Sequence, residues 1–431
     1  MALDARAASA GIIKQVIAGK SLNQVLPSML PKVAERDRPL VQQLCYGTLR
    51  QQPRLEGIVK QLLDKPLRAK DGDVFALLLM GLYQLDDMRV PDHAAVAETV
   101  GASRALKKPW AKGLINALLR RYLREREELI ETLDAAARSA HPKWLYQKIY
   151  QQWPEQADSI IQANNGQPPM SLRVNALKMT ADVYLERLAS EGIHARLCEH
   201  SPCGVRLDQP MDVELIPGFA EGEVSVQDEA AQMAALFLDA QPKERILDAC
   251  SAPGGKACHI IETQSQLNEL VAADVDEQRL VKVTENLQRL KLTATVQRAD
   301  AAEPRESFQA ESFDRILVDA PCSASGVIRR HPDVKILRRP EDITEMAEQQ
   351  LHILKGLWPL LKPGGSLLYA TCSIFEEENS SVVNKFLQSN PDAAYQEGIH
   401  SGLIQKRYGQ QLLPNANGGD GLFYAMLRKQ I

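Results

Sequence analysis

Residues 245–256 read Arg245-Ile246-Leu247-Asp248-Ala249-Cys250-Ser251-Ala252-Pro253-Gly254-Gly255-Lys256. A short apolar run ends on an acid, turns through Pro-Gly-Gly and opens into helical sequence. Glycines in such a turn let the backbone approach a ligand closely, and the helix start offers free N–H groups. The rest of this half keeps the same alternation. Leu270-Val271-Ala272-Ala273, Thr295-Val296, Arg315-Ile316-Leu317-Val318 and Leu367-Leu368-Tyr369 are strand-like, with helical stretches such as 276–290 and 342–361 between them. The pattern predicts an open, doubly wound, Rossmann-like α/β domain over 236–431. In such sheets ligands sit beyond the C-terminal strand ends, where Asp248, Asp274, Asp300, Asp319 and Cys372 all fall.

Upstream the pattern differs. Apolar residues recur at three- and four-residue steps in Val74-Phe75-Leu78-Leu79-Leu82-Tyr83-Leu85 and in Leu114-Ile115-Leu118-Leu119-Tyr122-Leu123. That predicts an all-α bundle over 1–140. The stretch 141–235 reads as a connector marked by His141-Pro142, Trp153-Pro154 and Pro168-Pro169, followed by a small α/β subdomain. Its strands are expected at Ser171–Asn175, Ala195–Leu197, Val205–Leu207 and Val224–Val226, with Thr180 as a helix N-cap.

The 431 residues contain no run of eighteen apolar residues, and the first twenty hold no cleavable apolar core. A cytoplasmic protein with no membrane contact is expected. Seven cysteines, an odd number, read as free thiols. The net charge of −4 hides an asymmetry: residues 1–126 carry 21 Lys and Arg against 12 Asp and Glu. A basic first third on an acidic whole is a footprint for nucleic acid or a solvated helical surface.

The glycine turn lacks GxGxxG and GxxxxGK[ST], which disfavours a dinucleotide or a triphosphate. Asp274 ends the next strand, where an acid accepts hydrogen bonds from ribose hydroxyls. Asp300 follows the strand after that and could meet an adenine amino group. An adenosine cofactor without phosphates fits, S-adenosylmethionine.

Two thiols stand at the ends of later strands, Cys322 in Asp319-Ala320-Pro321-Cys322-Ser323 and Cys372 in Thr371-Cys372-Ser373. Carbon 5 of a pyrimidine is a poor nucleophile until a thiolate adds at carbon 6. A carboxyl near ring nitrogen 3 can donate a proton to the developing charge. A basic group must then remove the carbon 5 proton so that the thiolate can leave. Asp319, Cys322 and Cys372 supply such a set, without deciding which thiol attacks. The alternative is two small buried hydrophobic thiols. Arg329, Arg330, Lys335, Arg338 and Arg339 form a basic stretch just after this element, expected to touch phosphates near the target. His194, Cys198, His200 and Cys203 cluster without a CxxC, so no metal is expected.

These motifs, Leu247 to Lys256 with Asp319-Ala320-Pro321-Cys322-Ser323 and Thr371-Cys372-Ser373, resemble the RNA cytosine-5 methyltransferases over nearly the whole chain. Gln43-Leu44-Cys45-Tyr46-Gly47 and Lys112 to Arg120 are similar to the NusB-type RNA-binding domain. The resemblance implies 16S rRNA as substrate, with no obligate protein partner evident. It implies that Cys250, Ser251, Ala252, Pro253, Gly254, Gly255 and Lys256, with Asp274, Asp300 and Asp319, hold S-adenosylmethionine. It makes Cys372 the nucleophile and Cys322 the residue that assists release. A non-enzymatic RNA-binding factor and a DNA methyltransferase remain the competing readings.

Overall fold

The computed structural model describes residues 3–398, 400 and 402–431, and the chain divides into two units. The first comprises 1–167 with 328–340, the second 168–327 with 341–431.

The expected apolar spacing makes the first unit helical. Its helices are α1 (Ala5–Ile17), α2 (Leu22–Met29), α3 (Arg38–Leu62), α4 (Gly72–Asp87), α5 (Asp92–Ala105) and α6 (Ala111–Glu131). Leu44, Leu49, Leu78, Leu82, Ile115 and Leu119 meet in one buried core. After α7 (Ala135–Arg138), the stretch read as a connector is itself helical, as α8 (Lys143–Gln152) and α9 (Ala157–Asn165). Leu145, Ile149, Trp153, Ala157, Ile160 and Ile161 are buried there at helical spacing, and the prolines stand at helix starts and ends.

The basic stretch after Cys322 corrects the phosphate-contact reading at two of its five residues, while Arg330 and Arg338 are half-buried and Arg339 is exposed. Arg329 and Lys335 are about as buried as any residue in the chain, inside the helical unit. Lys335 Nζ donates to Arg50 O at 3.1 Å, Ala140 O at 3.0 Å and Asn165 Oδ1 at 2.5 Å. Three donors thus meet three oxygen acceptors. Burial, with Arg50 nearby, pulls the Lys335 pKa well below the ordinary ammonium value, so these acceptors are what supports its charge. Asp333 Oδ2 accepts from Leu22 N at 2.9 Å and Ser21 Oγ at 3.3 Å, capping α2, and Arg50 Nη2 donates to Arg329 O at 2.9 Å. A thirteen-residue excursion from the second half of the sequence therefore completes the first unit.

The second unit begins with a small antiparallel sheet in the order β2-β3-β1-β4. Its strands are β1 (Met170–Val174), β2 (Ala195–Leu197), β3 (Gly204–Leu207) and β4 (Val224–Val226). Helix α10 (Ala181–Ser190) covers it, with Thr180 accepting from Val183 N as expected. The larger sheet is built on β5 (Arg245–Asp248), β6 (Glu269–Asp274), β7 (Thr295–Arg298), β8 (Phe313–Asp319) and β9 (Leu361–Thr371), parallel in the order β9-β8-β5-β6-β7. Beyond β9 lies a strand that the sequence reading did not separate out. Labelling the next strands β10 (Ala393–Gln396), β11 (Ile404–Gln405), β12 (Gln410–Gln411) and β13 (Phe423–Lys429), β13 pairs antiparallel with β9, Phe423 opposite Thr371. The strand order reverses between β5 and β8, which opens the crevice where ligands bind in such sheets.

Substituting Lys335→Met should destabilise the helical unit by about 1–3 kcal/mol, because it leaves buried carbonyls unsatisfied. Thermal melting followed by helical circular dichroism checks this. An unchanged melt would mean that the 328–340 excursion is not held through Lys335.

Candidate active site

The parallel pairs carry the acidic strand ends to one edge. Asp248 ends β5, Asp274 ends β6 and Asp319 ends β8, while Asp300 lies just past β7. Ala249, Cys250, Ala252, Asp274, Asp300, Asp319, Cys322 and Cys372 line one cavity of about 340 Å³. Of the sequence-selected residues, Cys250, Ala252, Asp274, Asp300, Asp319, Cys322 and Cys372 are gathered there and Lys256 is joined to them through Asp319, while Ser251, Pro253, Gly254 and Gly255 do not line the cavity.

The glycine turn is held from below and behind. Ser251 N donates to Ala273 O at 2.8 Å, Ala249 N to Leu317 O at 2.9 Å and Gly254 N to Ser251 O at 2.6 Å. Gly254 has φ +96°, and a Cβ there would stand 3.1 Å from Val283 Cα in helix α13 (Glu277–Leu290), taking α11 as Glu229–Leu238 and α12 as Gly255–Thr263. Helix α12 starts at the turn, which leaves its first N–H groups without partners inside the helix. Arg173 on β1 anchors it: Nη1 donates to Gly255 O at 2.6 Å, while Nε and Nη2 grip Glu262 at 2.8 Å each. Both side chains of that pair are fully buried.

Asp274 accepts from Ala252 N at 3.2 Å and Asp276 N at 3.1 Å, with Arg279 Nη1 at 3.5 Å. Lys256 Nζ donates to Asp319 Oδ2 at 2.5 Å. Burial is the largest single effect on Lys256 and opposes its charge, but Asp319, with Cys372 and Asp248 adding to it, raises the pKa on balance. Asp248 is buried and neither carboxylate oxygen has a hydrogen-bond partner. Burial first, and the Asp319 charge second, raise its pKa to about 7; Ser251 lies close enough to oppose this without forming a hydrogen bond of good geometry. The site thus gathers four carboxyl groups, Asp248, Asp274, Asp300 and Asp319, around Lys256 and Arg279. This acid surplus fits a ligand that carries positive charges, as the sulfonium and ammonium of S-adenosylmethionine do.

The two thiols line the same cavity, with Cys322 Sγ 3.2 Å from Cys372 Sγ. The hydrogen bond between them, then burial, hold the Cys322 thiol well above its ordinary pKa. Their loops interlock through backbone. Gly326 N donates to Cys372 O at 2.9 Å and Gly421 N to Gly326 O at 2.8 Å. A Cβ on Gly326 would stand 2.1 Å from Gly421 O, so only glycine fits.

One functional candidate was missed in the sequence. Glu378, fully buried six residues past Cys372, accepts from Ser323 N at 2.7 Å, Ser323 Oγ at 2.6 Å and Ser373 Oγ at 2.5 Å. The available signal was a serine directly after each cysteine and an acid shortly downstream. His194, Cys198, His200 and Cys203 do not converge on a common centre; Cys203 Sγ instead faces His259 Nε2 at 3.3 Å.

Known proteins match this arrangement from end to end. The description "16S rRNA methyltransferase RsmB/F" matches residues 235–428, a RsmF/B-like ferredoxin-like domain matches 141–214, and the NusB family matches 3–124. A ribosomal RNA small subunit methyltransferase B from Pseudomonas putida is 50% identical over 430 residues, covering 99% of each chain. The chain belongs to the 16S rRNA methyltransferase RsmB/F family.

A second such methyltransferase, from Proteus mirabilis, is 48% identical over 99% of this chain and 98% of its own. The solved structure of PH0851 shares the fold over the whole of both chains, with a TM-score of 0.83 and 24% identity. A methyltransferase homolog protein from Pyrococcus horikoshii covers 69% of this chain and 99% of its own, at a TM-score of 0.60 and 28% identity. This RsmB/F-family protein is accordingly an S-adenosylmethionine-dependent methyltransferase with a NusB-like helical part, a ferredoxin-like middle part and a mixed-sheet methyltransferase part.

Removing the anchor beneath the glycine turn has a defined cost. Arg173→Met would leave the Glu262 carboxylate buried and unpaired, a loss of roughly 3–5 kcal/mol. Urea unfolding checks the figure, and a variant as stable as the parent would show that Arg173 does not anchor helix α12.

Proposed function

We propose that this enzyme methylates carbon 5 of a cytosine in 16S rRNA, in the cytoplasm, through a covalent bond between Cys372 and carbon 6. The observation that carries this reading is the pair of thiols 3.2 Å apart, in one cavity with the acid-lined turn. Cys250 to Lys256 with Asp274, Asp300 and Asp319 would hold S-adenosylmethionine, which supplies the methyl group when bound. The Asp274 carboxylate would accept from the ribose hydroxyls, and Asp300 would meet the adenine edge.

In the target ring, the Cys372 thiolate adds to carbon 6 and makes carbon 5 nucleophilic. Charge then develops toward ring nitrogen 3. Lys256 donates to Asp319, so this pair holds between them the proton that nitrogen 3 needs. Once carbon 5 is methylated, its proton must leave before the sulfur–carbon bond breaks. Cys322 would assist that elimination, a role supported by its lying 3.2 Å from the sulfur that must depart. A base inside a helix would first be unstacked to enter the cavity. The helical unit would add RNA affinity: Lys107, Lys112, Arg120 and Arg124 are exposed and suit phosphate contact. No protein partner is needed for these steps.

Asp274→Ala should weaken S-adenosylmethionine binding about ten-fold or more, since charge-assisted bonds contribute roughly 1.5–3 kcal/mol. Calorimetry measures this directly, and unchanged affinity would put the ribose elsewhere. The two thiols should fail differently. Cys372→Ala should give neither methylation nor adduct, whereas Cys322→Ala should still attack and stall with RNA attached. A denaturing gel reads the difference as a slow band of protein plus labelled RNA. The band appearing with Cys372→Ala instead would reverse the roles.

A further inference from the structure

Glu378 belongs to none of the motifs from which the site was assembled, yet it touches both thiol loops. It sits at the end of the 3-10 turn Glu376–Glu378, with no solvent exposure. One oxygen accepts from Ser323 N at 2.7 Å, and the other from Ser323 Oγ at 2.6 Å and Ser373 Oγ at 2.5 Å. Ser323 directly follows Cys322, and Ser373 directly follows Cys372. One carboxylate therefore ties the residue after each thiol to the same point. Gln350 Nε2 adds a bond to Glu378 Oε1 at 3.3 Å and also holds Pro321 O at 2.9 Å. Tyr369, on β9, donates to Glu378 O at 2.6 Å and to Gln350 Oε1 at 3.0 Å. Ser325 Oγ closes the cluster, 3.0 Å from Ser373 Oγ and accepting from Ile374 N at 3.0 Å.

Resting on the two-thiol reading above, we propose that Glu378 is a positioning residue of the methyl-transfer reaction, holding the two thiols in the spacing that couples attack to release. A neutral hydrophobic filler would support the fold as well, but it would not bind two separate loops through four donors. Such a set of donors suits an ionised, acceptor-only carboxyl. Burial raises the Glu378 pKa, while the bonds from Ser323 and Ser373 oppose that rise. Its charge also adds to the effects that keep Cys322 in the thiol form, behind the Cys372 bond and burial. Removing the charge should therefore loosen the spacing and make the two thiols more alike. The step that needs both of them, elimination after methylation, should suffer most.

The test compares the full-length parent with Glu378→Gln, Ser323→Ala and Ser373→Ala on 16S rRNA. Three readouts are taken: turnover, KM for RNA, and the fraction of enzyme trapped as covalent adduct at steady state. Melting temperature and S-adenosylmethionine affinity serve as folding controls. The expected result for Glu378→Gln is a kcat at least ten-fold lower, KM for RNA within two-fold and a larger trapped fraction. Alkylation of Cys322 by iodoacetamide, followed by mass spectrometry, should move to lower pH. If Glu378→Gln fails to fold, the serine variants, which keep the carboxylate, carry the test, and each should lower kcat several-fold. A folded Glu378→Gln, or both serine variants, with parental kcat and trapped fraction would overturn the proposal. A parent that does not methylate cytosine would overturn the two-thiol reading instead.

Discussion

Strands β8 and β9 run parallel with Asp319 opposite Ala370, and the site depends on that register. Ala320 N donates to Ala370 O at 2.9 Å, which locks the two chains just before they leave the sheet. Cys322 follows Asp319 by three residues and Cys372 follows Ala370 by two, so both thiols emerge at one edge. A slip of one residue would turn alternate side chains to the other face and part them. The contact of Gly326 with Cys372 O and Gly421 keeps the loops interlocked beyond the sheet. Strand β13 covers the far edge of β9, so β9 is paired on both sides.

Around that mechanical frame the charges are unevenly shared. The carboxyl groups of Asp274, Asp300 and Asp319 line the cavity, with Lys256 paired to one of them. Two sulfur atoms line it as well, and the residue after each joins a buried hydroxyl cluster. On the proposed reading, cofactor affinity would rest on the acids of β5 to β8 and ring chemistry on the thiol loops. Asp319 is bonded to Lys256 and adjacent in sequence to the Cys322 element. Asp248, without a hydrogen-bond partner, is raised to about 7 by burial and by the Asp319 charge, which weakens it as a source of negative charge near neutral pH.

Much of this was legible in the sequence because it is local. Strand ends, the glycine turn and the helical spacing of 74–85 and 114–123 depend on neighbours a few residues apart, and periodicity reports them. What escaped the reading depends on distant partners. Lys335 and Arg329 look like a surface charge run, yet the acceptors of Lys335 lie on Arg50, Ala140 and Asn165, far off in sequence. The connector proved helical because proline punctuation is compatible with helix starts, and the buried spacing through Leu145, Ile149 and Trp153 was overlooked. Strand β13 is nearly continuous in its burial, so it shows no alternation to mark it. Glu378 is one of three consecutive acids, and only the three-dimensional neighbours distinguish it from a solvated charge run.

The central claim is that Cys372, rather than Cys322, bonds to carbon 6 of the target base. RNA carrying 5-fluorocytosine at the target tests it most directly in the unaltered enzyme, since fluorine at carbon 5 cannot leave as a proton does and the adduct persists. Protease digestion and mass spectrometry of the trapped complex then locate the attached nucleotide. The account predicts attachment at Cys372, dependent on S-adenosylmethionine. Attachment at Cys322, or no covalent complex while ordinary RNA is methylated, would contradict it.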